Sequence, residues 1–203
     1  MAVTWIERHP KWLKVLASPH PAWNTLLVMA LIAGLFRLSS RELLDFSWSD
    51  LAWLALGVLG WTFFEYAMHR WVYHGTYKNK RLREFVESFH IYHHRNIQDA
   101  RVLTAGVLMI LPLALLTLSP LYFVFSLLSS TGFVPYAVGF IAAYGFYEWV
   151  HYLIHKHSDP RGYLKWITRY HMHHHDRRWD RCFGNTNSLW DHLLGTYSKP
   201  AKH

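Results

Sequence analysis

The chain has 203 residues, of which 52% are apolar and 17% aromatic, with one cysteine and 16 histidines. Its 21 Lys and Arg against 13 Asp and Glu leave a net charge of +8. This length suits one domain with a sizeable core, and the composition excludes a disordered chain, a disulfide scaffold and a compact repeat array.

Residues 5–23, WIERHPKWLKVLASPHPAW, mix Trp, Leu and Lys. They are expected to form an interfacial segment with Trp5 and Trp12 at the headgroup level, broken by Pro19 and Pro21. The first apolar run begins after residue 20 and lacks a small-residue cleavage pattern, so no signal peptide is expected. Residues 21–36 and 51–64 carry no charge, and the 46 residues 102–147 carry neither a charge nor a histidine. At about 20 residues per crossing, this pattern predicts four membrane helices, at 22–38, 49–69, 102–120 and 131–151. Pro112 is expected to kink the third helix and Pro135 the fourth, and the stretch from Pro120 to Gly132 offers the turn between them.

The expected fold class is therefore all-α, a polytopic membrane protein in a single domain, 1–203. Residues 1–21 are the interfacial segment, 22–151 the membrane helices and first histidine loop, and 152–203 a C-terminal cap. Residues 69–101 carry seven basic and three acidic side chains, and residues 152–203 nine and four. Four crossings place these blocks and the N-terminus on one side, which the positive-inside rule makes cytosolic, and send the 39–48 loop and the 120–131 turn to the other. No zinc-finger, RRM or basic-helix pattern appears, so the positive charge reads as membrane topology, with no nucleic-acid partner expected.

Ten histidines fall into four clusters, each just outside a predicted membrane helix: His69 and His74; His90, His93 and His94; His151 and His155; His171, His174 and His175. On a helix the positions i, i+3 and i+4 share a face, so each trio points one way. His151 and His155 lie one turn apart. His69 and His74 are five apart, about 140° around an α-helix at 3.6 residues per turn, and converge only if the helix ends or bends near Gly75. Neutral imidazole suits Fe, Zn, Cu or Ni, and ten ligands are too many for one ion and right for two. The expected site is a dimetal centre, its core formed by the two trios. His157 and His173 lie off the main face, and His9, His20 and His203 lie near the ends.

Ligand imidazoles need carboxylates or carbonyls at their free nitrogens. Glu65, four before His69, and Glu148, three before His151, are placed to fix ring tautomers. Asp191 and Asp176 stand near the fourth cluster, although Asp176 and Asp180 among Arg177, Arg178 and Arg181 also read as a solvated charge run. Cys182 reads as a packing residue. Phe146, Tyr147 and Trp149 beside the third cluster are expected to line an apolar cleft.

The order HX4H, HX2HH, HX3H, HX2HH resembles the fatty acid hydroxylase/sterol desaturase superfamily of membrane diiron oxygenases, and most nearly its fatty acid (ceramide) 2-hydroxylase branch. The likeness runs from about Phe63 to Tyr197, through FFEYAMHRWVYH, YEWVHYLIHKH and RRWDRCFGNTNSLWDHLLGTY. The ten histidines carry over one for one. The resemblance implies a cytosolic helical cap over two Fe ions, with Zn able to occupy the same imidazoles in purified protein, and O2 as co-substrate. It implies hydroxylation of a lipid from the bilayer, at the acyl carbon next to the carbonyl, by a protein of the bacterial inner membrane or the endoplasmic reticulum. About 60 residues precede the first histidine cluster, so a separate electron donor is expected, of ferredoxin or cytochrome b5 type with an NAD(P)H reductase. HRWVYHG also looks like bacterial carotenoid hydroxylases, so a carotenoid or sterol-like hydroxylase or desaturase is the alternative. A non-enzymatic membrane metal-binding protein is a more distant one.

Overall fold

The computed structural model describes residues 5–12, 16–18, 20–39, 47–128 and 131–200. Long helices dominate: α1 Pro21–Ser39, α2 Trp48–Ala67, α3 Lys80–Arg95, α4 Val107–Leu127, α5 Phe133–Lys156, α6 Gly162–Asp176 and a short α7 Leu189–Leu193. Three stretches, Pro21–Ser39, Trp48–Tyr73 and Val107–Leu127, are long and apolar enough to cross a membrane. The fourth expected span corresponds to α5, which is 24 residues long and ends in the third histidine cluster.

α2 and α5 form the centre of the molecule. They approach until their backbones touch: a Cβ on Gly57 would strike the Tyr136 carbonyl, and one on Gly139 the Leu54 carbonyl. Small residues at such a crossing replace side-chain interdigitation with direct backbone contact. An aromatic layer continues the seam, with Trp61 edge-on to Phe140 and Tyr144 at 5.3 and 5.1 Å. α2 starts cleanly because the Asp50 carboxylate accepts from both the Ser47 amide and hydroxyl at 2.8 Å.

The expected third helix is shifted. Residues 102–106 are not helical membrane chain: Ala100–Val102 form a 3-10 turn, and Thr104–Ala105 form a strand, β2, antiparallel to β1, Ala17–Ser18. The Asp99 side chain accepts from the Arg101 amide at 3.0 Å and starts that turn. Asn24 of α1 donates to the Ala105 carbonyl at 3.0 Å and ties the strand to the bundle. α4 then runs through both Pro112 and Pro120 to Leu127, so the turn lies beyond Pro120. Pro135 sits in the first turn of α5, where an amide would lack a partner anyway. The expected 39–48 loop falls largely outside the described residues, as do residues 129–130.

Among its described residues the N-terminal segment holds two short turns, Trp5–Arg8 and Pro10–Trp12. Ile6 is fully buried, and Glu7 and Arg8 reach Arg95 and Glu84 of α3 at 3.8 Å each. The segment thus clasps α3. The cap consists of α3, α6 and the C-terminal loop, seated on the α5 end by Val150, Ile154, Ile167, Tyr170 and Cys182. Cys182 is a packing residue as expected, and its φ of 60° turns the loop sharply into the core.

Candidate metal centre

Four helices deliver the ten histidines. α2 delivers His69 and His74 by changing its winding. Residues Met68–Tyr73 are π-helical, and the His74 amide donates to the His69 carbonyl at 3.1 Å, closing an i to i+5 turn. The wider turn brings a five-residue spacing back to one face, so the two rings meet without the helix ending. α3 carries its trio in its last two turns, after a start where Asn79 accepts from the Arg81 and Leu82 amides at 2.9 and 3.2 Å. α5 and α6 supply the rest.

The rings divide into two groups. His69, His74, His90, His94 and His174 bring one nitrogen each within 4.8 Å of all the others, as do His93, His151, His155 and His171. His175 adjoins the second group, with ring centroids 4.5 Å from His171 and 4.7 Å from His93. Each trio is therefore split. His90 and His94 face the first group and His93 the second; His174 faces the first and His171 the second, while His175 also stacks on His94 at 4.0 Å and so lies between them. The expectation that each trio points one way is corrected: adjacent helical residues are about 100° apart, so His93 and His94 must diverge. The first group takes two histidines from the end of α2, two from α3 and one from α6; the second takes two from α5 and one each from α3 and α6, with His175 of α6 beside it.

The geometry suits metal ions. In the first group Nε2 atoms approach at 2.7 Å (His74 and His90), 2.9 Å (His90 and His94), 3.1 Å (His74 and His174) and 3.2 Å (His69 and His90). In the second, His93 meets His151 at 3.2 Å and His155 meets His171 at 3.1 Å. Ligand nitrogens about 2.1 Å from one ion at right angles would be about 3 Å apart. Nitrogen pairs cannot satisfy one another around such a ring of contacts, because a neutral imidazole has a single N–H. Both nitrogens of His175, and Nδ1 of His93, His94, His155 and His171, are buried without a hydrogen-bond partner. Burial holds the cap imidazoles neutral, the form that ligates. His94 is pushed down to about 2 and His74 to about 3 by desolvation and then by neighbouring imidazoles. His174 falls only to about 4, because its bond to the Arg181 carbonyl opposes desolvation.

Three rings are aimed by backbone carbonyls. His69 Nδ1 lies 2.6 Å from the Phe183 carbonyl, His151 Nδ1 2.8 Å from Leu103, and His174 Nδ1 2.7 Å from Arg181. The predicted carboxylates act one step further out. Glu65 does not touch a ring; it accepts from the Asn185 amide, from the Thr186 amide at 2.9 Å and from the Thr186 hydroxyl at 2.8 Å. Asp191, fully buried, accepts from the Phe183 and Gly184 amides at 2.9 and 2.8 Å and from the Thr196 hydroxyl at 2.7 Å. Together they pin the loop whose Phe183 carbonyl aims His69. Glu148 follows in part, accepting from Tyr144 at 2.6 Å and from the Ala105 amide at 3.4 Å, two residues from the carbonyl that aims His151. The tautomer-fixing role expected of Glu65 and Glu148 thus falls to carbonyls: Glu65 is spent on the loop that carries one, while Glu148 bonds mainly to Tyr144 of its own helix. Asp176 is exposed, and Asp180 pairs with Arg178 at 3.0 Å, as a solvated run does. His173 and His192 meet Ser198 and Ser188 and belong to neither group.

A groove of about 490 Å³ opens between α2 and α5 beside the cap. Ala55, Val58, Leu59 and Phe146 form its apolar side, and Tyr163, Thr186 and Asn187 its polar end. Phe146 lines it as expected. Trp149 does not: its Nε1 donates to Thr25 of α1 at 2.8 Å. Tyr147 turns inward and stacks on His151 at 5.7 Å. Thr186 joins groove to centre, since it lines the one and is held by Glu65, a turn before His69. Thr186 carries no periodic signal; only the FGNTN turn ahead of LWD marks its loop.

The fold and site define an integral membrane protein with a buried histidine cluster able to hold metal. A family model described as fatty acid hydroxylase matches residues 54–196, and the chain belongs to that family. It is 32% identical over 146 residues to the dihydroceramide fatty acyl 2-hydroxylase FAH2 of Arabidopsis thaliana, covering 70% of this chain and 59% of that protein. It is 26% identical to the ceramide very long chain fatty acid hydroxylase SCS7 of Saccharomyces cerevisiae, covering 71% and 38%. The chain thus spans about three-fifths or less of these relatives. The solved structure of full-length Scs7p, in which only the hydroxylase domain is visible, superimposes with a TM-score of 0.64 at 25% identity, over 98% of this chain and 69% of that one.

Proposed function

We propose that the chain is a membrane monooxygenase that inserts one oxygen atom of O2 into a C–H bond of a fatty acyl chain or sphingolipid, at the carbon next to the carbonyl. The observation that carries this reading is the pair of adjacent histidine groups, with nitrogen spacings fit for metal, in a chain that also has an apolar groove between α2 and α5. His69, His74, His90, His94 and His174 would hold one iron, and His93, His151, His155, His171 and His175 the other. Iron bound there supplies O2-dependent C–H oxidation, with the second oxygen leaving as water and two electrons arriving from a ferredoxin- or cytochrome b5-type donor.

The chain's own residues do the positioning. Phe183, Leu103 and Arg181 hold the Nδ1 protons of His69, His151 and His174, leaving Nε2 of each free to ligate. Ala55, Val58, Leu59 and Phe146 receive the acyl chain, while Tyr163, Thr186 and Asn187 orient its polar end. Burial of the rings excludes water from the centre. In the bilayer α1, α2, α4 and α5 make four crossings, and the basic blocks put the cap in the cytosol. The relatives named above are acyl and ceramide hydroxylases, which favours an acyl over a carotenoid substrate.

The test is lipid analysis of a host lacking the activity, expressing wild type or His94→Ala. New 2-hydroxy acyl chains with wild type alone are expected. Hydroxylated carotenoids without hydroxy acyl chains would overturn the substrate, and no oxidised product from either would overturn the enzyme.

A further inference from the structure

Trp179 is an exposed aromatic residue that packs on the metal centre: its ring lies on His94, which in turn stacks on His175 at 4.0 Å. Its indole ring stands 4.6 Å from the His94 ring, centroid to centroid, and its Nε1 donates to the His175 carbonyl at 2.6 Å. His94 belongs to the first group and His175 adjoins the second. The residue is nevertheless 40% exposed. Large aromatics that pack on a buried centre yet keep a solvent face mark contact surfaces. Arg177, Arg178 and Arg181 flank it, against Asp176 and Asp180, a net charge of +1 over residues 176–181. Asp180 is engaged by Arg178 at 3.0 Å and Arg181 at 3.8 Å, while Arg177 is exposed.

The proposed reaction has a requirement that these residues can meet. R–H, O2, two protons and two electrons give R–OH and water, so two electrons must cross from outside the cap in each turnover. We infer that the Arg177–Arg181 turn, centred on Trp179, is the docking surface for an acidic one-electron carrier protein, with Trp179 as its contact over the histidine groups. The inference rests on the hydroxylase reading. The carrier is oxidised by one electron at each of two encounters and leaves between them. Such an encounter needs a small interface steered by charge rather than a large apolar one. Three arginines around one exposed indole, with Arg177 exposed, have that form. The other occupant available to a basic face is an anionic lipid headgroup, but a headgroup gives no reason for an indole seated against His94 and His175.

The test uses the full chain, metal-loaded, in nanodiscs of zwitterionic lipid. Binding of two soluble probes, the haem domain of cytochrome b5 and a plant-type [2Fe–2S] ferredoxin, is measured at low and at physiological salt. Wild type is expected to bind at least one, more weakly as salt rises. Arg177→Glu with Arg178→Glu should weaken binding at least tenfold at low salt, and the paired Lys variants should stay within twofold of wild type. Trp179→Ala should slow reoxidation of the pre-reduced carrier at least tenfold, and Trp179→Phe should restore most of that rate. Metal content is measured for every variant. Binding of neither probe by wild type, or affinity unmoved by charge reversal, overturns the docking surface. So does charge reversal that lowers only binding to phosphatidylserine vesicles. O2 uptake driven by a small chemical reductant separates the two readings. If wild type consumes O2 with lipid present but the carrier results fail, the docking surface alone is wrong. If wild type consumes none, the hydroxylase reading fails and the docking surface falls with it.

Discussion

Glu65 gives the sharpest prediction, because its structural task is countable. It accepts from three buried donors, the amides of Asn185 and Thr186 and the Thr186 hydroxyl. Glu65→Ala leaves all three unpaired, at about 1–3 kcal/mol for each buried donor. Part of this is recovered as the loop loosens, so the net local cost is expected at about 3 kcal/mol. That energy corresponds to roughly a hundredfold rise in local opening. Glu65→Gln keeps the shape and one oxygen for the two amides, and the Thr186 hydroxyl can turn to accept from the new amide, so its cost is expected below about 1 kcal/mol. Hydrogen exchange of the Phe183–Thr186 amides in nanodisc-embedded protein reads the opening directly. Because the Phe183 carbonyl aims His69, Glu65→Ala should also release metal to a chelator about 10–100-fold more readily. Loop exchange within threefold of wild type, with unchanged metal release, would refute the latch.

The other predictions separate neighbouring roles. Asp191→Asn should be worse than Glu65→Gln, since Asp191 gives one oxygen to each of two backbone amides and the Asn NH2 cannot accept from either; protease nicking near residue 183 in the variant, absent from wild type, checks it. Gly139→Leu should force α2 and α5 apart at Leu54 and cost more than about 3 kcal/mol, read as a large fall in thermal midpoint, whereas Gly34→Leu on the open face of α1 should change little. Acid should destabilise the metal-free protein. His174, His74 and His94 are held neutral at about 4, 3 and 2, below the unfolded value of 6.5, so their contribution is complete above pH 6.5 and is lost as pH falls through that window. A pH series of unfolding midpoints should be flat above about 7 and fall steadily below 6.5, and a midpoint that rises on acidification would contradict it. Ala143→Phe, which fills the groove without touching a histidine, should abolish lipid turnover while leaving metal content at the wild-type level.

How much of this was legible in the sequence follows from the range of each interaction. The ten histidines and their grouping around helix ends are local patterns, and both were readable from spacing alone. The division between the two groups was readable too, though it was missed. HX2HH puts its last two rings about 100° apart, so a trio spans an arc wide enough for two ions rather than pointing at one. HX4H failed the opposite way, because α-helical arithmetic sends His69 and His74 apart and only a π-turn reunites them. A five-residue spacing between two demanded ligands is itself a signal for that turn, since the i to i+5 bond from His74 to His69 has the same span. Partner choice lay beyond reach. Glu65 bonds to Asn185 and Thr186, 120 and 121 residues away, and His151 to Leu103, 48 away. A carboxylate one turn from a histidine is locally indistinguishable from its hydrogen-bond partner, and burial decides otherwise. Loops beside a buried centre have amides that must be paired, and the nearest acid is claimed by them first. The ring nitrogen is then left for the carbonyl on the far side of the same peptide unit or a neighbouring one. That exchange explains why Glu65 holds a loop while a carbonyl from that loop holds His69, and Glu148 follows it through a single 3.4 Å contact to the Ala105 amide, two residues from the Leu103 carbonyl that holds His151.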